Sequence, residues 1–459
     1  MFDSRKNLAP LRSGFFLNLK TMSITVAKFG GTSMGSAQAI SQVADILEAT
    51  AGGKVAVVSA TSGTTDMLLK LGELAVSGNS WKKEFEELKT KHEKILNELK
   101  VDVDLGDLFK EMEELLEGVG MIKEMSLSAN DRLVSFGERM SSRILAGVLV
   151  NRGIGSEAVD TFEIIFTDND FKQGNVDFEK TDKAVATKIL PMLEDGIIPV
   201  VTGFIGQSEN GQYITLGRGG SDYTGGIVAA ALAASELQIW TDVEGIFNAD
   251  PRIVKEAGPI EKVSFNEASE LAYFGAKVLH PKTIQPAVKK GIPVKVLNTF
   301  NPSAKGTLIN NEETTSLKSV SSKKGITVIN ICSSGMLNAH GFMAKIFEVF
   351  AKHKVAVDVV ATSEVSVSIT VDSTVMEGLL EDLKKIGAVT SQEKMAIICL
   401  VGNGIRNDST VLGKMFSAVA GHNISMVSQG ASQRNVTFLT REEEATEIVQ
   451  TLFKTFFKK

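Results

Sequence analysis

The stretch Ile24-Thr-Val-Ala-Lys-Phe-Gly-Gly-Thr-Ser33 places a short, mostly apolar run directly before two glycines. In the next segment, residues 36–49, apolar side chains recur at the i, i+3, i+4 and i+7 spacing of one helix face. These side chains are Ile40, Val43, Ala44 and Leu47. This part of the chain is therefore predicted to form a strand, a glycine turn and a helix.

Four later apolar runs predict further strands, and the segments between them have helical periodicity or helix-forming composition. The runs are residues 55–59, 197–203, 237–241 and 293–298. Strands that alternate with helices favour a mostly parallel α/β sheet. Ligands of such sheets bind beyond the carboxyl ends of the strands, which is where the glycine-rich loops of this chain fall.

Length and composition indicate a multi-domain globular protein that acts on small molecules. The chain has 459 residues, 43% of them hydrophobic and 23% charged, and a single ordinary core does not reach that size. The longest near-unbroken apolar run, residues 225–234, is too short to cross a bilayer. A net charge of −6 provides no broad basic field, so neither nucleic acid nor membrane is expected as a partner.

The two cysteines and the first residues both favour a cytoplasmic protein. Cys332 and Cys399 lie in apolar runs without metal or redox spacing, so both are interpreted as core residues in a reducing compartment. Residues 1–22 contain basic groups but no sustained apolar core, which argues against a secretory signal. We interpret residues 1–22 as an N-terminal extension, and Met22 directly before the first strand suggests that residues 1–21 are dispensable.

The last third of the chain contains an internal repeat. The segment from Phe347 aligns with the segment from Phe416 at a constant offset through His353 and His422. Each copy is interpreted as a βαββ unit too small to bury much surface alone, so the copies are expected to pair. The repeated histidines are interpreted as structural groups at helix ends. The Lys- and Glu-rich residues 81–118 are interpreted as a solvated amphipathic helix without chemistry.

Several common catalytic motifs are missing from the sequence, and two glycine loops remain as candidates. The chain has no GxxxxGK[ST] loop, no complete dinucleotide fingerprint and no Gly-x-Ser-x-Gly elbow. The remaining candidates are the loop after Lys28 and the loop Thr215-Leu-Gly-Arg-Gly-Gly-Ser-Asp-Tyr-Thr-Gly-Gly226. A lysine at a strand end can direct its ammonium at phosphates held by backbone N–H groups, or be a surface lysine beside a turn. Asp222 or Ser221 can equally be a helix N-cap, and Arg218 an exposed loop residue.

Six motifs together resemble the aspartate kinase family of amino acid kinases. They are KFGGTS at 28–33, SATSGTTD at 59–66, SFGERMSS at 135–142, TLGRGGSDYT at 215–224, WTDVEGIFNADPR at 240–252 and FGAKVLHP at 274–281. The resemblance implies a three-layer αβα sandwich over residues 23–310, followed by two βαββ ferredoxin-like ACT domains. The first spans 325–390, and the second spans 391–459 together with the strand 316–323. This tandem resembles the monofunctional, lysine-inhibited class.

The resemblance implies ATP- and Mg²⁺-dependent phosphorylation of the β-carboxylate of L-aspartate, the first step toward lysine, threonine and methionine. A carboxylate with a pKa near ~4 is already ionised at neutral pH, so the nucleophile needs no general base. Catalysis then consists of positioning and charge neutralisation. The family match assigns Lys28 the bridge between the substrate carboxylate and the γ-phosphate. It makes Asp222 the catalytic acid residue, which we interpret as orienting lysine or magnesium.

The resemblance also assigns substrate and nucleotide contacts. Arg218 would bind the α-carboxylate and Glu138 the α-ammonium, although Glu138 alone resembles a helix-face carboxylate paired with an arginine. The remaining substrate contacts are Ser59, Ala60, Thr65 and Ser221. Arg252 and Lys277 are suited to bind the phosphates. The complete set of assigned nucleotide-binding residues is Lys28, Gly30, Gly31, Thr241, Asp242, Phe247, Arg252, Lys277 and Val278. Phe247 stands where many members have tyrosine, which removes a hydroxyl and keeps the ring.

For regulation, the resemblance implies a lysine site at an interface between the first ACT copies of two subunits. The matching positions are Met336, Gly341, Phe342, Met343, Val357, Asp358, Ser363 and Glu364. Asp358 and Glu364 suit a cationic effector, or are solvated acids at strand ends. A shared effector site implies a homodimer or a tetramer.

Two alternatives stay open at this point. A kinase for acetylglutamate or glutamate would share the scaffold, but an N-acylated substrate offers no ammonium to Glu138. A non-catalytic amino-acid sensor would share the ACT domains, and the retention of Lys28, Arg218 and Asp222 argues against it. No dehydrogenase domain is expected after Lys459, so the fused bifunctional form is not predicted.

Overall fold

The computed structural model describes residues 22–274, 279, 282–314, 316–337, 340–372 and 378–458. The chain divides into two compact units. The first takes in the described residues up to Glu244 together with Lys282–Lys305, and the second takes in those of Gly245–Pro281 and Gly306–Lys459. Residues Gly245–Pro281 therefore belong to the same compact unit as the C-terminal region.

The helices and strands of the described residues are numbered in chain order. The strands are β1 (Ile24–Phe29), β2 (Gly53–Val58), β3 (Ser156–Val159), β4 (Ile198–Thr202), β5 (Ile205–Gln207), β6 (Tyr213–Thr215), β7 (Glu236–Thr241), β8 (Lys262–Ser264), β9 (Val294–Asn298), β10 (Thr307–Asn310), β11 (Leu317–Cys332), β12 (Val360–Thr362), β13 (Ser366–Asp372), β14 (Ala388–Gly402), β15 (Met426–Ser428) and β16 (Asn435–Arg441). The helices are α1 (Ala37–Ala49), α2 (Thr64–Ser77), α3 (Lys82–Leu99), α4 (Gly106–Ile122), α5 (Leu127–Asn151), α6 (Phe178–Glu194), α7 (Gly220–Ala231), α8 (Phe265–Phe274), α9 (Gln285–Lys289), α10 (Phe342–Lys352), α11 (Leu379–Lys384), α12 (Ser409–Ala418) and α13 (Ala445–Phe457).

The first unit is built on a parallel sheet with the strand order β3-β4-β2-β1-β7-β9. Helices α1 to α5 pack together as one group, and α6, α7 and α9 form a second group. The two groups cover the sheet as outer layers, which confirms the predicted αβα architecture. The four apolar runs predicted to be strands coincide with β2, β4, β7 and β9.

Local sequence explains where α1 begins and which face it buries. Ser36 accepts a hydrogen bond from the backbone N–H of Ala39 at 3.2 Å and caps the helix. The predicted apolar side chains of this helix are fully buried: Ile40, Val43, Ala44 and Leu47. The periodicity seen in the sequence therefore corresponds to the face that packs in the core.

The second unit contains an antiparallel sheet with the order β12-β13-β11-β14-β16-β15. The long strand β11 contributes to two separate cores. Its part near Ile329 packs with Ile346 and Phe350, whereas Val320 packs with Phe438 and Leu452. The first part of β11 pairs with the later part of β14, so one sheet joins the two βαββ copies.

The prediction that both cysteines are core residues was wrong for Cys332, which is exposed, whereas Cys399 is buried. Cys332 is the last residue of β11, and side chains alternate between the two faces of a strand. Its neighbour Ile331 takes the buried face. Within the described ranges, no helix combines the length and apolar character that a bilayer span requires.

Candidate active site

A cavity of about 870 Å³ opens in the first unit, beside the loops that follow β1 and β2 and the start of α7. Its position at the carboxyl ends of parallel strands is the usual ligand position of such sheets. The cavity is lined by most of the residues assigned to substrate and nucleotide: Lys28, Gly30, Gly31, Ser59, Ala60, Thr65, Glu138, Arg218, Ser221, Asp222, Thr241 and Asp242.

Lys28 and Asp222 form an ion pair in this cavity. The distance from Lys28 Nζ to Asp222 Oδ1 is 2.5 Å, and the two side chains are 10% and 15% exposed. Lys28 is the penultimate residue of β1, and Asp222 lies in the first turn of α7. A Cβ added at Gly225 would lie 3.3 Å from Lys28 Cβ, so the glycine allows the helix to approach the strand closely. The aspartate in a glycine loop thus has a cation beside it.

The loop before α7 depends on glycine conformations. Gly217 and Gly219 have φ of +77° and +74°, which favours glycine at both positions. A Cβ added at Gly220 would lie 2.6 Å from the ring of Phe204. This tight backbone sets Ser221 and Asp222 at the start of α7, while the Arg218 side chain is exposed and lines the cavity.

Glu138 is a buried carboxylate with one unused oxygen. It lies on α5, is 3% exposed, and its Oε1 accepts a hydrogen bond from the Ala60 N–H at 3.0 Å. Its Oε2 is buried without a hydrogen-bond partner among the described residues. Burial raises the pKa of Glu138 to about 8, against the opposing effects of the Ala60 N–H and the Lys28 charge. A cationic group bound in the cavity would satisfy this oxygen.

Asp131 is a further cavity residue, and no sequence motif predicts it. It is fully buried on α5, and its Oδ2 accepts the backbone N–H groups of Lys172 and Thr215, each at 2.8 Å. The second of these bonds anchors the residue at which the 215–226 loop begins. A single aspartate in an amphipathic helix carries no spacing signal, so only its contacts reveal this function.

Two of the assigned nucleotide residues do not line the described cavity. Phe247 and Arg252 belong to the second unit. The Phe247 carbonyl accepts a hydrogen bond from Ser319 Oγ at 3.4 Å, and Arg252 pairs with Asp250 at 2.7 Å. Lys277 and Val278 lie outside the described residues. The nucleotide roles of these four residues stay predictions.

In the second unit, the assigned effector positions lie on the first βαββ copy. Met336, Phe342, Met343 and Val357 pack against its core, and Gly341 precedes α10 with φ of +78°.

Asp358 and Glu364 of this copy have different surroundings. Asp358 is 6% exposed and contacts Lys323 Nζ at 3.0 Å and the Tyr273 hydroxyl at 2.5 Å. Glu364 is exposed, and the neighbouring Ser363 Oγ lies 2.7 Å from Ser366 Oγ. The interpretation of both acids as solvated therefore holds for Glu364 but not for Asp358, which already has a cation beside it.

Two family matches cover successive parts of the chain. Residues 23–298 match the amino acid kinase family, and residues 329–385 and 398–456 match the ACT domain. Together with the parallel sheet and the Lys28–Asp222 cavity, they define the class of protein as an amino acid kinase with a tandem ACT region.

Similarity to known proteins identifies the family within this class. The chain is 42% identical to aspartokinase 1, chloroplastic, of Arabidopsis thaliana, over 94% of this chain and 80% of that protein. It is 36% identical to lysine-sensitive aspartokinase 3 of Escherichia coli, over 95% and 99%. The crystal structure of E. coli aspartokinase III in complex with aspartate and ADP superposes with a TM-score of 0.81, at 35% identity over 95% and 100% of the two chains. This chain belongs to the aspartokinase family.

Proposed function

We propose that this protein transfers the γ-phosphoryl group of ATP to the β-carboxylate of L-aspartate and forms 4-phospho-L-aspartate, the first step toward lysine, threonine and methionine. The observation that carries the proposal is the largely buried Lys28–Asp222 pair, between the end of β1 and the start of α7, in one cavity with Arg218 and the unsatisfied oxygen of Glu138. The E. coli relative described above was crystallised with aspartate and ADP.

The chemistry of this reaction requires neutralisation of charge and not removal of a proton. The β-carboxylate arrives ionised, because its pKa near ~4 is far below neutral pH. The remaining obstacle is repulsion between this anion and the triphosphate. The Lys28 ammonium supplies a fixed positive charge between them, where charge is redistributed in a loose transition state. Asp222 keeps that ammonium in place.

Substrate selectivity follows from the two ends of the amino acid. Arg218 can bind the α-carboxylate through two parallel hydrogen bonds. The free Oε2 of Glu138 can accept a hydrogen bond from the α-ammonium. The remaining groups of this surface are Ser59, Ala60, Thr65 and Ser221. Acetylglutamate would place a neutral amide against Glu138, so the orphan oxygen favours an amino acid with a free ammonium.

The nucleotide is expected along Gly30, Gly31, Thr241 and Asp242, beside Lys28. A Cβ added at Gly31 would lie 3.4 Å from the Ala60 carbonyl oxygen, so this turn leaves little room for a side chain. Within the described part of the chain, no three-residue cluster of metal-ligating side chains occurs. Mg²⁺ binds to proteins through one or two carboxylates and substrate phosphates. Asp222 is the carboxylate that would hold it, and the ion would offset phosphate charge.

An acyl-phosphate assay tests the proposed function. Hydroxylamine converts an acyl phosphate to a hydroxamate, so the purified protein with ATP, Mg²⁺ and aspartate is expected to accumulate a hydroxamate. Acetylglutamate and glutamate serve as parallel substrates. A hydroxamate with acetylglutamate and none with aspartate would identify the protein as an acetylglutamate kinase instead. Absence of ATP turnover with all three substrates would support a non-catalytic amino-acid sensor.

The pH dependence of kcat/KM for aspartate is expected to follow the ionisation of Glu138. Its raised pKa of about 8 means that the free enzyme holds this carboxyl protonated near neutral pH. Pairing with the α-ammonium requires the ionised form, so a proton leaves on binding and affinity increases as pH rises. We expect kcat/KM for aspartate to increase up to about tenfold per pH unit below about pH 8 and to level off above it. Glu138→Gln should raise KM for aspartate and abolish this rise, and a profile unchanged by the substitution would contradict the assignment.

We further propose that L-lysine inhibits the enzyme by binding the first ACT copy in a homodimer or tetramer. Support comes from the E. coli relative, which is named lysine-sensitive, and from the acidic pair Asp358 and Glu364. Inhibition is then a coupling free energy between two remote sites. Asp358 already contacts the Lys323 ammonium, so an effector cation must share or displace that contact.

Glu364→Ala is therefore expected to raise the lysine concentration for half-inhibition about tenfold or more, because an exposed anion is removed from the effector surface. Turnover without lysine should stay within about twofold of the parent value. Glu447→Ala, which removes an exposed acid from the second copy, is the matched control and should leave inhibition unchanged. Equal loss of activity and inhibition in Glu364→Ala would make Glu364 a structural residue. The measurement is hydroxamate formation across a lysine titration.

A further inference from the structure

We propose that Lys91 and His92 are positioning residues for the aspartate-binding loop, and that they set the affinity for the amino acid. This segment, residues 59–65, includes the first two residues of α2 and is called the substrate loop below. The inference rests on the proposed function, because it assigns a role to residues outside the cavity in binding that same substrate. Both residues lie on α3, in the Lys- and Glu-rich segment for which the sequence indicated no chemistry.

Three hydrogen bonds connect α3 to the substrate loop. Lys91 Nζ donates to the Ser62 carbonyl oxygen at 2.6 Å and to Thr64 Oγ1 at 2.8 Å. His92 Nε2 lies 3.3 Å from Thr61 Oγ1. Thr61 Oγ1 and Thr64 Oγ1 are 2.6 Å apart, so the three contacts join into one chain.

The donor and the acceptor of each hydrogen bond in this Lys91–His92 network follow from the tautomer of His92. His92 Nδ1 lies 2.9 Å from the Leu88 carbonyl oxygen, which can only accept, so Nδ1 carries the proton. Burial lowers the pKa of His92 to about 4, so the ring is neutral and its Nε2 is an acceptor. Thr61 must therefore donate its hydroxyl proton to His92. Thr64 then donates to Thr61, and Lys91 donates to Thr64.

This series of hydrogen bonds leaves the hydroxyl groups of Thr61 and Thr64 a single orientation each. Thr61 is 1% exposed, and Thr64 and His92 are fully buried, so no bulk water can replace a missing partner. Lys91 is half-buried, and burial lowers its pKa. Its ammonium donates to Thr64, the last hydroxyl in the order that His92 sets.

The substrate loop is also held from its opposite end. The Ala60 N–H donates to Glu138 Oε1 at 3.0 Å, and Ser141 Oγ donates to the Ser59 carbonyl oxygen at 2.8 Å. The Lys91–His92 chain fixes residues 61–64 of the same loop. Residues that bind the amino acid are thus clamped between α3 and α5, whereas Thr241 and Asp242 of the nucleotide surface lie on a separate strand end.

The test is a comparison of Michaelis constants in Lys91→Met. We expect KM for aspartate to rise about tenfold, since small displacements of binding groups are costly, while KM for ATP stays within about twofold. Lys91→Arg should restore part of the affinity, because a guanidinium can donate to the same oxygens. Lys94→Met is the matched control, since Lys94 lies on the same helix, is 75% exposed and reaches only Glu98 in the described ion pairs; it should match the parent enzyme.

A double-mutant comparison separates positioning from general destabilisation. Thr64→Val removes the hydroxyl that Lys91 contacts, so Lys91→Met and Thr64→Val together should raise KM for aspartate no more than the larger single effect. Additive effects, or equal increases in both Michaelis constants in a sample with the parent melting temperature, would overturn the inference. If Lys91→Met lowers the melting temperature, Thr61→Val supplies the same test from the other end of the chain.

Failure of this inference is distinguishable from failure of the proposed function. The parent enzyme forms the aspartate hydroxamate or it does not, and that result alone decides the proposed function. When the parent is active, an unchanged KM for aspartate in Lys91→Met and Thr61→Val overturns only the role of the Lys91–His92 chain.

Discussion

Replacement of Lys28 by methionine is expected to lower kcat for aspartate phosphorylation about a thousandfold or more, because the site loses the charge that lies between two anions. Methionine has a similar length and a similar apolar stem, so the expected loss of activity is attributable to the missing ammonium group. Lys28 is almost buried and pairs with Asp222 at 2.5 Å. Its removal also leaves the Asp222 carboxylate without that partner, which adds a negative charge where the triphosphate must bind.

The measurement is hydroxamate formation together with aspartate-dependent release of ADP. Lys28→Arg is the informative companion, since it retains the charge with a different shape and should be less impaired than Lys28→Met. The melting temperature of each variant shows whether the protein is folded. A folded Lys28→Met enzyme with the parent rate of ADP release would refute the proposed charge neutralisation.

The second large effect is expected for Asp222→Asn, with kcat reduced by about two to three orders of magnitude and the apparent affinity for ATP changed by only a few-fold. Asparagine has the same shape but no charge, so it can no longer hold the Lys28 ammonium or a magnesium ion in place. The rest of the nucleotide surface is untouched, which is why binding should persist.

Asp66→Asn is the matched control for Asp222→Asn. Asp66 is an exposed acid that lines the same cavity, in the first turn of α2, and the proposed mechanism assigns it no role. Its substitution should leave kcat within a few-fold. Lys28→Met combined with Asp222→Asn should be no slower than Lys28→Met alone, because the two side chains act as one unit. Parent turnover in Asp222→Asn would remove Asp222 from the mechanism.

The ion pair explains why local patterns identified the loop but not its chemistry. In the sequence, Asp222 was equally consistent with a helix cap. In the structure it does lie in the first turn of α7, yet its carboxylate contacts Lys28 at the end of β1. The two residues meet because β1 is a central strand of the sheet and α7 packs on it through Gly225. Helical periodicity contains no information about that contact.

Glu138 and Lys91 also show what sequence patterns leave out, because in the sequence both resemble ordinary surface residues. In the sequence, Glu138 resembles a surface carboxylate paired with an arginine, and Lys91 lies in a segment interpreted as solvated. Burial of the first and the hydrogen bonds of the second come from the packing of α3 and α5 around the substrate loop. Each assignment depends on neighbours that are about 30 to 80 residues away in the chain.

The sequence by itself determined the alternation of strands and helices, the glycine turns at the strand ends and the repeat of two βαββ copies, because these follow from patterns within a few residues and from a periodicity along the chain. Only the tertiary structure decided that Lys28 pairs with Asp222, that one oxygen of Glu138 is left unsatisfied, that Asp358 already contacts Lys323, and that Cys332 is exposed. The physical reason is that burial and charge pairing depend on sheet order, strand register and the close approach of distant segments, and these are properties of the folded chain as a whole.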